Sequence, residues 1–125
     1  MQIRVYYEDT DVGGVVFYAN YLKYCERARS ELFFQKGLSP ILEDGHFVVK
    51  ELQASYHSSA KLGDLLHVKS SLMEVKNASF KLHQAVFREK EKIFEMDITL
   101  VFIDFNGKVK KFEVKNLDLL HSLFT

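Results

Sequence analysis

Residues 9 to 16 read Asp9-Thr10-Asp11-Val12-Gly13-Gly14-Val15-Val16, and these residue types gather the parts that acyl transfer needs. Asp9 or Asp11 supplies a carboxylate able to attack a carbonyl carbon or to take a proton from water. A helical period starts close behind, near Tyr18. The first N–H groups of a helix have no partner inside it. They therefore form a donor set for a developing oxyanion, at the positive end of the helix dipole. Gly13 and Gly14 lack a Cβ and allow a ligand close to the backbone. The same residue types also make a plain turn followed by a cap. Pattern alone leaves both readings open.

The elements that must hold this segment are legible from period. Residues 2–8 alternate and are β-prone, which predicts a strand ahead of the loop. From Tyr18 to Lys36 the spacing becomes helical. Tyr21, Cys25, Ala28 and Leu32 recur at i, i+4, i+7 and i+11 as one buried stripe, with Arg27 and Glu31 placed to pair across a turn. Gly37 is the expected C′ residue, and Pro40 keeps the helix from resuming. A turn or short helical piece at Ser39–Gly45 leads into predicted strands Phe47–Tyr56, Leu65–Glu74, Phe80–Glu89, Lys92–Ile103 and Lys108–Phe112. The fourth of these alternates most clearly, through Phe94, Met96, Ile98, Leu100 and Phe102. Asn106-Gly107 marks a tight turn, and Asn116 is placed to cap a last helix over Asn116–Leu123. One long helix and a run of consecutive strands make an α+β domain with an antiparallel sheet.

Composition narrows the function. The 125 residues suit one domain, 1–125, and 11 Phe with 6 Tyr and no Trp predict an aromatic core. The 17 basic and 17 acidic side chains cancel, which argues against a nucleic-acid partner. No apolar run is long enough to insert in a membrane, and the first residues lack a secretory pattern. Cys25 is the single cysteine, so no intrachain disulfide or cysteine-rich metal site forms. A reduced, cytoplasmic location is the expectation. The five histidines, His46, His57, His67, His83 and His121, show no metal-ligand spacing. No cofactor or metal is expected. Cys25 falls on the buried stripe and reads as core.

Tyr7 to Leu22, with Glu26-Arg27-Ala28-Arg29 after it, resembles the signature of the YbgC/4-hydroxybenzoyl-CoA thioesterase family, and Tyr56-His57-Ser58-Ser59-Ala60-Lys61-Leu62-Gly63-Asp64 resembles its second motif. The resemblance covers essentially the whole chain in element order. It implies a hotdog fold, in which an antiparallel sheet wraps one long central helix, and it implies hydrolysis of acyl-CoA thioesters, with acyl carrier protein as a further thioester donor or binding partner. The family's catalytic carboxylate falls on Asp11. The backbone N–H that polarises the thioester carbonyl falls on Tyr18. Most YbgC-type sequences have His at that place, so an acid–base role does not carry over. A phenol titrating near 10 is a poor base at neutral pH. Glu26 matches the family's Glu-Arg-Ala-Arg pattern and reads as an ion-pair residue. Substrate contacts are expected at Gly14, Val15, Asn20 and Tyr56, with Phe17, Tyr24, Phe47 and Val48 as other acyl-pocket candidates. The turn Lys76-Asn77-Ala78-Ser79, with Lys81 beyond, is the expected phosphate contact. Hotdog domains pair edge to edge, so a homodimer or homotetramer is implied.

Overall fold

The computed structural model describes all of Met1–Thr125. The element order is β1 (Gln2–Arg4), one 3₁₀ turn (Tyr7–Asp9), α1 (Asn20–Gln35), β2 (His46–Tyr56), β3 (Leu65–Val75), β4 (Ser79–Arg88), β5 (Glu91–Ile103) and α2 (Val114–Phe124). The strands form one antiparallel sheet in the order β1-β3-β4-β5-β2. The sheet wraps α1, as the hotdog reading expected. No helix is long and apolar enough to cross a membrane.

The central helix begins at Asn20 rather than near Tyr18, leaving Tyr18 in the turn before it, and three other elements differ from the sequence reading. The first strand stops at Arg4, because the chain turns at Tyr7–Asp9 where Asp9 Oδ2 accepts the Tyr6 N–H at 2.8 Å. Lys108–Phe112 is not a strand. Only Val109 bridges back, to Ile103, and the turn before it is closed by Asp104 Oδ1 accepting from Asn106 and Lys108. The last helix begins at Val114, with Asn116 inside its first turn rather than before it. Asn116 still serves the end, its Oδ1 accepting the Glu113 N–H at 2.8 Å.

The alternation in β5 does what it predicts. Phe94, Met96, Ile98, Leu100 and Phe102 are all buried, and Glu95, Asp97 and Thr99 face outward. From α1, Tyr21, Tyr24, Cys25, Ala28 and Phe33 are buried, and Leu32 packs half-exposed against them. The Tyr21 ring stacks on Phe94 with centroids 5.1 Å apart. At the opposite end Phe33, Phe47, Phe80 and Phe124 interlock. Each such ring contributes about 1.5–3 kcal/mol by leaving water. The helix ends as Gly37 predicted. Gly37 has φ +73°, its N–H reaches Phe34 O, and Leu38 N–H reaches Phe33 O at 3.0 Å. The Arg27–Glu31 pair does not form. Glu26 instead accepts the Ser30 hydroxyl at 2.8 Å.

Candidate active site

The loop from Asp11 to Val16 is a closed turn. Asp11 N–H donates to Val15 O at 2.8 Å, and Gly14 N–H donates to Asp11 O at 3.1 Å. Gly14 takes φ +81°, a conformation that a Cβ disfavours. The turn is fastened to the segment before β3, where Val16 N–H donates to Ala60 O and Val15 bridges Lys61. Within it, Asp11 Oδ1 accepts from Gly13 N–H at 2.8 Å and from Val15 N–H at 3.4 Å. Its second oxygen makes no hydrogen bond in the chain, and the residue is exposed. One oxygen fixes the carboxylate and the other is free.

The start of α1 is held just as firmly. The Asp9 carbonyl takes two donors, Phe17 N–H at 2.9 Å and the buried Asn20 Nδ2 at 2.9 Å. The Phe17 carbonyl is occupied by Asn20 N–H at 2.8 Å. A peptide is planar and trans, so its N–H points opposite to its C=O. The N–H of Tyr18, on that same peptide, is therefore directed away from the helix body. It has no acceptor in the chain, nor has Ala19 N–H. The Tyr56 hydroxyl donates to the Tyr18 carbonyl at 2.8 Å and fixes the next peptide.

Asp11, Val15, Tyr18, Tyr21 and Tyr56 line one cavity of ≈ 380 Å³, with Val16 and the run His57-Ser58-Ser59. Of the residues nominated from sequence, Asp11, Tyr18, Val15 and Tyr56 thus come together. Gly14 shapes the loop beside them. Asn20 is buried and spent on Asp9, which makes it a positioning residue in this chain. Lys76 and Ser79 lie elsewhere, lining a separate polar hollow with Lys50 and Lys81 on the outer side of the sheet. Lys76 also lines a second hollow with Lys111. Among the other pocket candidates, Tyr24 is core, Phe47 lines a different cavity, and Phe17 and Val48 are exposed.

Sequence reasoning missed the Ser58–Ser59 wall and what secures it. Arg88 donates to Ser59 O at 3.0 Å and to Asp64 at 2.9 Å, and it pairs with Glu91 at 2.8 Å. The Tyr21 hydroxyl accepts Ala60 N–H at 3.1 Å. The second motif carried a signal for this wall, since Asp64 ends it. His57 lies on the rim, but its ring is turned to Glu95 at 2.7 Å, on the outward face of β5. Burial pushes the Cys25 thiol up to about 12, so it remains a neutral core group.

The chain matches the Thioesterase superfamily over residues 13–95. It is 46% identical over 87 residues to the acyl-CoA thioesterase YbgC of Helicobacter pylori, covering 70% of this chain and 65% of that protein. It is 40% identical over 112 residues to the acyl-CoA thioesterase YbgC of Haemophilus influenzae, covering 86% and 82%. A solved probable thioesterase, YbaW of Escherichia coli, is 28% identical and superposes with a TM-score of 0.85 over 100% of this chain and 98% of that one. The match spans a little under two thirds of the Helicobacter relative's length. The family match takes in Gly13 and Gly14, α1 and the Tyr56 strand, and with it the chain belongs to the Thioesterase superfamily.

Proposed function

We propose that the chain hydrolyses acyl-CoA thioesters at the cavity between the Asp11 loop and the start of α1. The observation that carries this is the unspent Tyr18 N–H beside a carboxylate with one free oxygen. A thioester carbonyl accepting that N–H gains most as its oxygen becomes an oxyanion. Asp11 then acts in one of two ways. As nucleophile it bonds to the carbonyl carbon, the C–S bond breaks, the thiolate leaves, and water cleaves the resulting anhydride. As general base it takes a proton from water, whose oxygen attacks the same carbon while the thiolate departs. Neither route asks the Tyr18 phenol for a proton. Tyr18 contributes its backbone, and its ring forms one wall of the cavity.

The support for a CoA substrate is chemical. The relatives named above are called acyl-CoA thioesterases. CoA phosphates need cations, and the Asp11 cavity has no lysine or arginine among its lining residues. Lys76, Lys81 and Lys111 lie at the other end of the sheet. β2 is a free edge strand, carrying exposed Val48, Val49 and Leu52. If two copies pair their β2 strands antiparallel, the partner's Lys76 turn comes to the Tyr56 end of this chain. Strand spacing of roughly 4.8 Å then puts that turn about three strands from the site, within reach of an extended CoA arm. A homodimer is the smallest complete unit in this reading, and a homotetramer is its doubling. Acyl carrier protein thioesters present the same reacting group. A cytoplasmic location accords with the single unpaired Cys25 thiol.

Asp11→Asn tests the reading. Turnover of an acyl-CoA should fall by two or more powers of ten, about 3 kcal/mol or more, with the thermal midpoint nearly unchanged. Unchanged hydrolysis removes Asp11 from the chemistry. An acyl-CoA that binds the wild-type chain without being cleaved turns the site into an acyl-group binder.

A further inference from the structure

Two backbone donors at the entry to α1, the Tyr18 and Ala19 N–H groups, have no acceptor in the chain, and Tyr18 lines the Asp11 cavity. A third unspent donor lies on a different wall of that cavity, in the segment after β2. It is the Ser58 hydroxyl. Ser58 is half-buried and lines the cavity. Tyr56 stands opposite buried Phe94 and faces inward, His57 turns outward to Glu95, and Ser58 follows the alternation back to the helix side. Arg88 reaches Ser58 from that same side, since it pairs opposite the buried Leu66.

Arg88 Nη2 donates to Ser58 Oγ at 3.4 Å. A guanidinium has no acceptor, so the serine oxygen accepts and its own proton is left over. No group in the chain takes that proton. Arg88 is itself anchored, through Ser59 O at 3.0 Å, Asp64 at 2.9 Å and Glu91 at 2.8 Å. The Ser58 oxygen is thus held by a fixed cation, while its O–H can turn toward a ligand.

Thioester cleavage builds negative charge on two atoms, the carbonyl oxygen and the sulfur. They leave the carbonyl carbon in different directions, so donors on one wall cannot serve both. The N–H groups ahead of α1 serve the oxygen. Ser58 remains for the sulfur. We infer that Ser58 is a further catalytic residue, its hydroxyl donating a hydrogen bond to the thioester sulfur as the C–S bond breaks, with Arg88 as the residue that positions it. This rests on the proposed hydrolysis at the same cavity. The electron pair of the C–S bond passes to sulfur, the thiolate departs, and Ser58 keeps its proton. The thiolate takes its proton from water afterwards. An alkyl thiol titrates at about 8.5, so its thiolate is basic enough to gain from a donor.

Ser58→Ala tests the role on two thioesters of one acyl group, the acyl-CoA and the thiophenyl ester. Thiophenolate spreads its charge into the ring and draws less on a donor at sulfur. On the acyl-CoA, kcat/KM should fall about tenfold, as for the loss of a hydrogen bond to a developing charge. On the thiophenyl ester it should fall at most about threefold, because less of that bond forms in the transition state. Ser58→Thr keeps the hydroxyl and should recover most of the loss on the acyl-CoA. Asp11→Asn should lower turnover of both esters alike. An equal fall on both esters in Ser58→Ala, or no fall on the acyl-CoA, overturns the Ser58 role, and the hydrolysis reading then stands without it if Asp11→Asn is inactive on both. A wild-type chain that cleaves neither ester overturns both readings.

Discussion

The Tyr56 hydroxyl donates to the Tyr18 carbonyl at 2.8 Å, joining the last residue of an edge strand to the turn that leads into the central helix. This bond fixes the Tyr18–Ala19 peptide, while Asn20 N–H fixes the Phe17–Tyr18 peptide from the other side. The unspent Tyr18 N–H thus sits on one anchored peptide and is followed by a second. Tyr56→Phe keeps the ring, which packs on Phe94 and Tyr21, and deletes the donor. Turnover should drop about fivefold, the equivalent of one ordinary hydrogen bond of roughly 1 kcal/mol. KM should change less than twofold, because binding surface is retained. Steady-state kinetics on one acyl-CoA separates the two, and an equal rise in KM with constant kcat would assign Tyr56 to substrate binding alone.

Asn20 yields a prediction with an internal control. Its Nδ2 donates to the Asp9 carbonyl from a buried position. Asn20→Ala removes that donor and should cost about 1–2 kcal/mol of stability. Asn20→Asp is the sharper test. At neutral pH a carboxylate cannot donate, so it sets a charged acceptor against a carbonyl acceptor. Asn20→Asp should therefore be less stable than Asn20→Ala at pH 7, and chemical denaturation of both variants decides the order.

The lysines should act on one part of the substrate only. Lys76→Ala combined with Lys111→Ala removes two cations that line one hollow. KM for an acyl-CoA should rise about tenfold or more, and the rise should shrink with added salt as screening replaces the lost contacts. A truncated N-acetylcysteamine thioester carries no phosphate, so its kinetics should not change. Equal effects on both substrates would place the lysines in the fold rather than at the phosphates.

The sequence was most readable where one physical pattern governed a whole element. The β5 alternation and the Tyr21–Cys25–Ala28 stripe each reflect burial of one face, and both are found as expected. Gly37 was readable because a left-handed C′ position favours glycine. Strand Lys108–Phe112 misled because its residues are β-prone while its position leaves it only one bridge to β5. Residues 2–8 misled because Asp9 folds back on Tyr6, a local competition that alternation does not register. At the site, Asp11 and Tyr18 stood out through the loop motif. Arg88 did not, because its partners Ser58, Ser59 and Asp64 lie 24–30 residues away and meet it only when β4 pairs with β3.

Acid should destabilise the chain through identifiable carboxylates. Burial alone would raise the Asp64 carboxyl, but hydrogen bonds from Lys61 N–H and Arg88 hold it below the usual carboxylate range. The His57 hydrogen bond foremost, with Lys92 nearby, likewise lowers Glu95. A group with a depressed folded pKa contributes stability above its unfolded value, near 4, and loses it as pH falls through the folded value. The thermal midpoint should therefore fall once pH drops below about 4. Asp64→Asn should show a shallower fall over that window, although it starts less stable. A parallel acid response in wild type and variant would exclude Asp64 as a contributor.

Two glycines should separate stability from chemistry. A Cβ built on Gly45 lies 2.2 Å from the Ile103 carbonyl oxygen and 3.0 Å from the Phe102 ring, so the β2–β5 pairing has to move to admit it. Gly45→Ala should cost about 3 kcal/mol, at the upper end of overpacking effects. That strain falls at the Phe47 end of the sheet, so the folded fraction should keep its kcat. Gly14 is the opposite case. Its Cβ would meet no atom within 4 Å, but its φ of +81° disfavours any side chain. Gly14→Ala should cost about 1–2 kcal/mol, less whatever alanine removes from unfolded-state entropy. Relaxing that φ moves the turn in which Gly13 and Val15 hold Asp11 Oδ1. If Asp11 reacts as proposed, its kcat should fall at least tenfold even where unfolding curves show a fully folded protein, because about an ångström at the carboxylate then costs more than modest instability. Denaturation curves and kinetics on the same two preparations test the contrast. Loss of activity in strict proportion to loss of folded protein in both variants would mean that the Asp11 turn has no special geometric role.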